Sequence, residues 1–237
     1  MTGKSGLKEI DWDTGYAKQK LPIKIDCDNI HEYWHTHHIL KRFIKRGSSV
    51  LECGCSPARW LVYFAMEYDC VVWGIDNSIV GLDTSKKNLQ MQGIEEFKLF
   101  KGDVNHLPFS NATFDVVFSD GLLEHFSEPE KIVKEMAQVL KQGGLLIIKI
   151  PNFHTGSLMW LIEDIVFGRE MSETHVKLDL KDVNSWVLRQ NLRIISSEYI
   201  GLYVRHGRIP KAEWTLKFIN RYTAHSIMTI GMKSEEV

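Results

Sequence analysis

The 237-residue chain is expected to fold as an α/β protein, a doubly wound, mostly parallel sheet with helices on both faces. Three observations predict this. Short apolar runs alternate along the chain with longer segments of helical spacing. Turns of small residues join the runs to the helices, above all Cys53-Gly54-Cys55-Ser56. Glu52, Asp76, Asp103 and Asp120 sit at or just beyond the ends of four of the runs. Ligands of such sheets lie outside the carboxyl ends of the strands, so the fold would gather these four acids along the ligand edge.

Composition sets limits. A net charge of −1 carries no electrostatic footprint for nucleic acid. The apolar and charged fractions, 44% and 25%, are those of a globular domain. No run is long enough to span a bilayer, and residues 1–20 lack the apolar core of a signal peptide. A cytoplasmic protein is therefore expected. Cys27, Cys53, Cys55 and Cys70 are expected as reduced thiols. Cys53-x-Cys55 lacks zinc-site spacing, and a continuous strand would point both side chains to one face.

In chain order, residues 1–26 read as irregular, with Trp12, Tyr16 and Pro22 as anchors. Asp28 is expected to cap a helix over 29–45 that Gly47 stops. His31, His35 and His38 share one face of it and read as partly exposed residues rather than as metal ligands. Val50 to Cys53 is the first strand, and a helix follows from about Trp60. Val71 to Asp76 is the second strand, with a helix over 78–92 stopped by Gly93. Phe97 to Lys101 and Phe114 to Ser119 are the third and fourth. Glu128 to Leu140 reads as a helix with Pro129 in its first turn, ended by Gly143-Gly144. Leu145 to Ile150 is the fifth strand. Beyond Pro151 the pattern predicts helices over 158–167, 180–190 and 210–222, and strands over 192–200 and 226–232.

An acid at the end of the second strand accepts hydrogen bonds from vicinal ribose hydroxyls. Asp76 therefore suits either NAD or S-adenosylmethionine. The turn Gly54-x-Ser56-x-Ala58 is not the glycine pattern that brings a pyrophosphate to a helix terminus. The remaining acids would repel phosphates and attract a sulfonium or an ammonium. Bland readings stand beside these: Glu52 neutralising Arg59, Asp103 capping a turn, Asp115 entering a strand.

Five stretches carry a family resemblance: VLECGCSPA at Val50–Ala58, VWGIDNS at Val72–Ser78, KGDVNHLPF at Lys101–Phe109, FDVVFSDGLLEH at Phe114–His125 and VLKQGGLLII at Val139–Ile148. With them the chain resembles the class I S-adenosylmethionine-dependent methyltransferases, in the group that includes ubiquinone and menaquinone methyltransferases. The resemblance implies a seven-stranded Rossmann-like sheet with an antiparallel last strand. It implies that Glu52, Gly54 and Ser56 face the methionine part of the cofactor. Asp76, with Asn77 beside it, would hold the ribose. Asp103 and Val104 would hold the adenine, and Ser119 and Asp120 would lie by the methionine amino end. Ser56 and Ala58 stand where the family usually has glycines.

On the acceptor side, His125 is the leading general base, since histidine titrates near neutrality; ordering the loop is its alternative role. His154 and His175 are weaker candidates. Tyr16, Trp34, Phe153 and Trp160 could wall an apolar pocket. The expected activity is methyl transfer to an oxygen or nitrogen of a small-molecule or lipid-like acceptor. The alternatives are a non-catalytic S-adenosylmethionine-binding partner protein and an NAD-dependent oxidoreductase. One domain is expected: a helical cap over 1–47, a cofactor core over 48–152 and a substrate-side region over 153–237, working as a monomer or homodimer.

Overall fold

The structure, a computed structural model, describes residues 10–28, 30–152, 175–201 and 224–234. The expected helices over 158–167 and 210–222 lie outside them, as do His154, Phe153 and Trp160.

Seven strands form one sheet: β1 (Ser49–Cys53), β2 (Val71–Asp76), β3 (Phe97–Lys101), β4 (Phe114–Asp120), β5 (Leu140–Pro151), β6 (Leu192–Ile200) and β7 (Ser226–Lys233). Their spatial order is β3-β2-β1-β4-β5-β7-β6. β1 to β5 run parallel, and β7 lies antiparallel between β5 and β6. Among the described residues the α-helices are α1 (Trp12–Ala17), α2 (His31–Leu40), α3 (Arg59–Tyr68), α4 (Ile79–Met91), α5 (Pro129–Gln138) and α6 (Leu180–Arg189). The strand order turns back at β1, between β2 and β4, which is where ligands settle in such sheets.

Side chains alternate across the sheet. Val50, Val116 and Phe118 join a core with Trp60, Leu61 and Phe64 of α3. Leu51 and Val117 join another with Ile132, Val133 and Met136 of α5 and Val183 of α6. Cys53 and Cys55 fall in different cores, against the expectation of one face. Gly54, at φ 70°, ends the strand between them and breaks its alternation. All four cysteines are free.

Three boundaries differ from expectation. Residues 1–26 contain a helix, α1, whose N-cap Asp11 accepts from Thr14 N at 3.0 Å. A single six-residue helix with one exposed tryptophan has too little periodicity to be read locally. Asp28 does not cap α2. The N-cap is Ile30, with no side-chain bond, and the helix stops at Leu40. Gly143-Gly144 does not end α5, which closes at Gln138. Leu140 already pairs with Phe114, and the register shifts before Val116 meets Leu145. A bulge thus takes up the glycines: Gly143 has φ 71°, and a Cβ on Gly144 would lie 2.8 Å from Lys141 O.

Candidate active site

The first turn is built from backbone. Gly54 N and Cys55 N both donate to Ile75 O, at 2.9 and 3.2 Å, which ties the end of β1 to β2. Ala58 then adopts φ 66°, so the backbone takes a left-handed conformation typical of glycine. The motif departs from the family in residue type and still makes the sharp turn. Gly54→Ala should destabilise the chain by about 1–2 kcal/mol from the left-handed penalty. A new Cβ would also lie 2.9 Å from Leu122 Cδ1. Chemical denaturation measures this, and an unchanged midpoint would refute it.

Asp76 ends β2 and joins two turns: its carboxylate accepts from Ser78 N at 2.9 Å and Ser56 N at 3.1 Å. Ser78 caps α4 through Gly81 N at 2.7 Å and donates to Asp13 of α1 at 2.5 Å. Gly81 is a close approach: a Cβ there would fall 2.5 Å from Ser56 Oγ and 2.8 Å from Tyr16 Cδ2. α1 therefore rests on α4 and on the first turn. Burial, followed by the charge of Asp76 and then of Cys55 and Glu52, pushes the Tyr16 phenol up. Tyr16, expected as an anchor or a pocket wall, thus lies against α4 beside the first turn.

The other expected residues divide. Glu52 is buried and its Oε2 has no hydrogen-bond partner. Burial lifts its carboxyl well above the usual range, although Arg59 lowers it. Ser119 is fully buried and its Oγ also lacks a partner. Asn77 is exposed and Val104 buried. Asp103 makes a local turn: its Oδ1 accepts from Asn105 N at 2.9 Å and Asn105 Nδ2 at 2.8 Å. Asp115 accepts from Ser49 N and Oγ and pairs with Lys141, at the entrance of its strand.

Asp120 points inward. Lys149 Nζ donates to its Oδ1 at 2.8 Å, and Trp60 Nε1 and Arg59 donate to Oδ2 at 2.7 and 3.2 Å. Lys149 also pairs with Glu32 of α2, which accepts from Ser226 Oγ at 2.7 Å and lies 3.0 Å from His225 Nδ1. Sequence reasoning missed this chain of buried charges. The one local signal was Lys149 itself, a lysine inside the apolar run Leu145–Ile150. The histidines of α2 have separate contacts: His37 with Tyr63 OH at 2.8 Å, and His38 with Trp34 O at 2.8 Å.

Beyond Asp120, Leu123–His125 form a 3₁₀ turn. The His125 ring meets Trp12 edge-on, with ring centroids 4.9 Å apart, and His175 at 4.4 Å. Trp12 stacks on Tyr16 at 6.0 Å. α1 thus reaches from the first turn to His125. Glu124, beside it, is fully buried, and sequence reasoning passed over it.

Comparison with known proteins places this geometry. A family model described as a methyltransferase domain matches residues 51–148. A sterol 24-C-methyltransferase of Gibberella zeae is 27% identical over 155 residues, 64% of this chain and 37% of that protein. A demethylmenaquinone methyltransferase of Bacillus cytotoxicus is 30% identical over 137 residues, 54% of this chain and 58% of that protein. The chain thus spans 37% to 58% of the length of these two relatives. A SAM-dependent methyltransferase of Aquifex aeolicus shares the fold, with a TM-score of 0.65, 17% identity and coverage of 94% of this chain and 99% of that one. The strand ends and turns described above lie within or beside residues 51–148, and that segment belongs to the class I S-adenosylmethionine-dependent methyltransferases.

Proposed function

We propose that this chain transfers a methyl group from S-adenosylmethionine to an oxygen or nitrogen of a small-molecule or lipid-like acceptor. One observation carries the reading. Two buried oxygens at the carboxyl ends of β1 and β4, Glu52 Oε2 and Ser119 Oγ, have no protein partner. A buried polar atom left unpaired costs about 1–3 kcal/mol, so a ligand group is the natural partner. Both oxygens can accept from an ammonium group, and an ionised Glu52 would repel a pyrophosphate. That favours S-adenosylmethionine over NAD.

In this reading Glu52, Gly54, Ser56 and Ser119 hold the methionine end, with Asp120 fixing the floor through Lys149 and Arg59. Asp76 and Asn77 face the ribose, and Asp103 and Val104 the adenine. The cofactor supplies a methyl group on a sulfonium, and transfer to a positioned acceptor depends mainly on proximity and orientation. His125 is the general base. Residues 1–47 act as a cap, which the seat of α1 on α4 and beside His125 supports, over a core at 48–152 and an acceptor side at 153–237. No helix among the described residues is long and apolar enough to cross a membrane.

Calorimetric titration with S-adenosylmethionine and with NAD tests the cofactor. Binding of NAD alone would overturn the reading. Release of S-adenosylhomocysteine against a panel of amines, phenols and lipids separates an enzyme from a non-catalytic binding protein. Asp76→Ala should weaken S-adenosylmethionine binding by about 1.5–3 kcal/mol, the range for hydrogen bonds to a charged group. Unchanged affinity with an intact circular dichroism spectrum would remove Asp76 from the ribose site.

A further inference from the structure

Glu124 is the most unusual acid in the described chain that the proposed site leaves without a task. It is 1% exposed, and its Oε2 is buried without a hydrogen-bond partner. Its Oε1 lies 3.9 Å from His125 Nε2 and 3.5 Å from where a Cβ on Gly121 would stand. The backbone holds it in place, since Val176 N donates to Glu124 O at 2.6 Å. A purely structural acid would have both oxygens paired, because an unpaired buried oxygen carries a desolvation cost that a glutamine or a leucine would avoid or reduce.

We propose that Glu124 and His125 act as one proton-sharing pair, in which His125 takes the acceptor's proton and passes it to the carboxylate of Glu124. Each step balances. The acceptor's X–H bond gives its proton to a nitrogen of His125, and the freed electron pair attacks the methyl carbon. The carbon–sulfur bond breaks with its electrons staying on sulfur, so S-adenosylhomocysteine leaves uncharged at that atom. The proton on His125 Nε2 then moves to Glu124 Oε1. The 3.9 Å separation is longer than a hydrogen bond, and catalytic contacts in ligand-free sites are often long and tighten only in the complex.

The direction of the transfer follows from the surroundings. Burial, with Asp120 of β4 adding to it, pushes the Glu124 carboxyl up to about 8, while the Glu124 backbone amide and Lys149 of β5 pull the other way. Among the described residues, His175 meets the histidine ring to ring and the uncharged Trp12 of α1 meets it edge-on. An ordinary histidine holds its proton with a pKa of about 6.5. Set against an ordinary histidine, an ionised Glu124 is the stronger base, and in that form it takes the proton that His125 carries. Glu124 acts through the histidine and is a positioning residue, not one that touches the substrate.

The relay rests on the methyl-transfer reading, but the pairing of Glu124 with His125 is measured without an acceptor. Nuclear magnetic resonance of the histidine side chains, on the chain as it stands, follows His125 with pH in wild type and in Glu124→Gln. The glutamine is isosteric and replaces a carboxyl that burial keeps largely protonated near neutrality, so it should fold as well. The His125 resonances of wild type should show an inflection near pH 8 from the neighbouring carboxyl. Glu124→Gln should lose it and keep only the histidine's own. Identical His125 titrations in the two proteins overturn the pairing. With an acceptor in hand, the rate of wild type should rise with pH through the value of the pair. In Glu124→Gln the inflection should move down toward the histidine range, with about a tenfold or greater loss of rate. A variant with wild-type rate and profile overturns the relay. Cofactor affinity should stay the same in both proteins; absence of S-adenosylmethionine binding to wild type would overturn the proposed function and the relay with it, while the titration still reports whether the two side chains are paired.

Discussion

Lys149→Met is expected to lower the stability of the chain by about 3–5 kcal/mol, the cost of breaking a buried ion pair from one side. Lys149 is 2% exposed in the middle of the sheet, and its ammonium joins Glu32 of α2 to Asp120 of β4. Methionine has similar volume, so packing loss is small and the effect reports charge. Two buried carboxylates would remain, with Arg59 and Trp60 still on Asp120 and the half-exposed His225 and Ser226 on Glu32. Burial alone would raise both carboxyls. Lys149, with His225 at Glu32 and Arg59 at Asp120, more than offsets burial and holds them below the usual range.

The pH dependence follows from that sign. A carboxyl whose pKa is depressed by folding contributes stability above its unfolded value, about 4, and loses it as pH falls through the folded value. The difference between wild type and Lys149→Met should therefore be full at pH 7 and shrink below about pH 4. Urea unfolding at the two pH values measures it. Equal midpoints at pH 7 would mean that the charges are better hydrated than the burial of Lys149 implies.

His125→Ala should slow methyl transfer by about 10²–10⁴, the usual loss on removing a general base. S-adenosylmethionine affinity should barely change, because the proposed ribose and adenine contacts lie around Asp76 and Asp103. The ring sits between Trp12 and His175, which brings α1 and the 175–179 segment to one point beyond the end of β4. Loss of the ring also removes the edge contact with Trp12, so the position of α1 should be checked by tryptophan fluorescence. Rates would be followed as S-adenosylhomocysteine release, with an acceptor found from the panel. A variant that keeps the wild-type rate would assign His125 to the loop and leave transfer to proximity alone.

Several features of the site were legible because they are local. The run Val50–Cys53, a glycine turn and a helical segment follow one another within twenty residues, and so do Val71–Asp76 and Ser78. Acids at strand ends stay at strand ends whatever packs around them. The bulge at Gly143-Gly144 was misread for the opposite reason. Val139 and Leu140 continue the helical spacing of α5, and only pairing of Leu140 with Phe114 shows that the strand has begun.

By itself, the sequence determined the alternation of strands and helices, the edge that carries Glu52, Asp76, Asp103 and Asp120, and the family to which residues 51–148 belong. Apolar spacing and turn residues encode these over short stretches. Only the tertiary structure decided how those acids are used. Asp120 looks like a ligand contact in the sequence, yet folding brings Arg59, Trp60 and Lys149 to it, and Glu32 to Lys149. Glu124 gives no signal of its own in the sequence, yet folding strips it of water and leaves one oxygen unpaired near His125. The ionisation of a carboxyl depends on burial and on charges within a few ångströms, and those neighbours come from segments far apart in the chain.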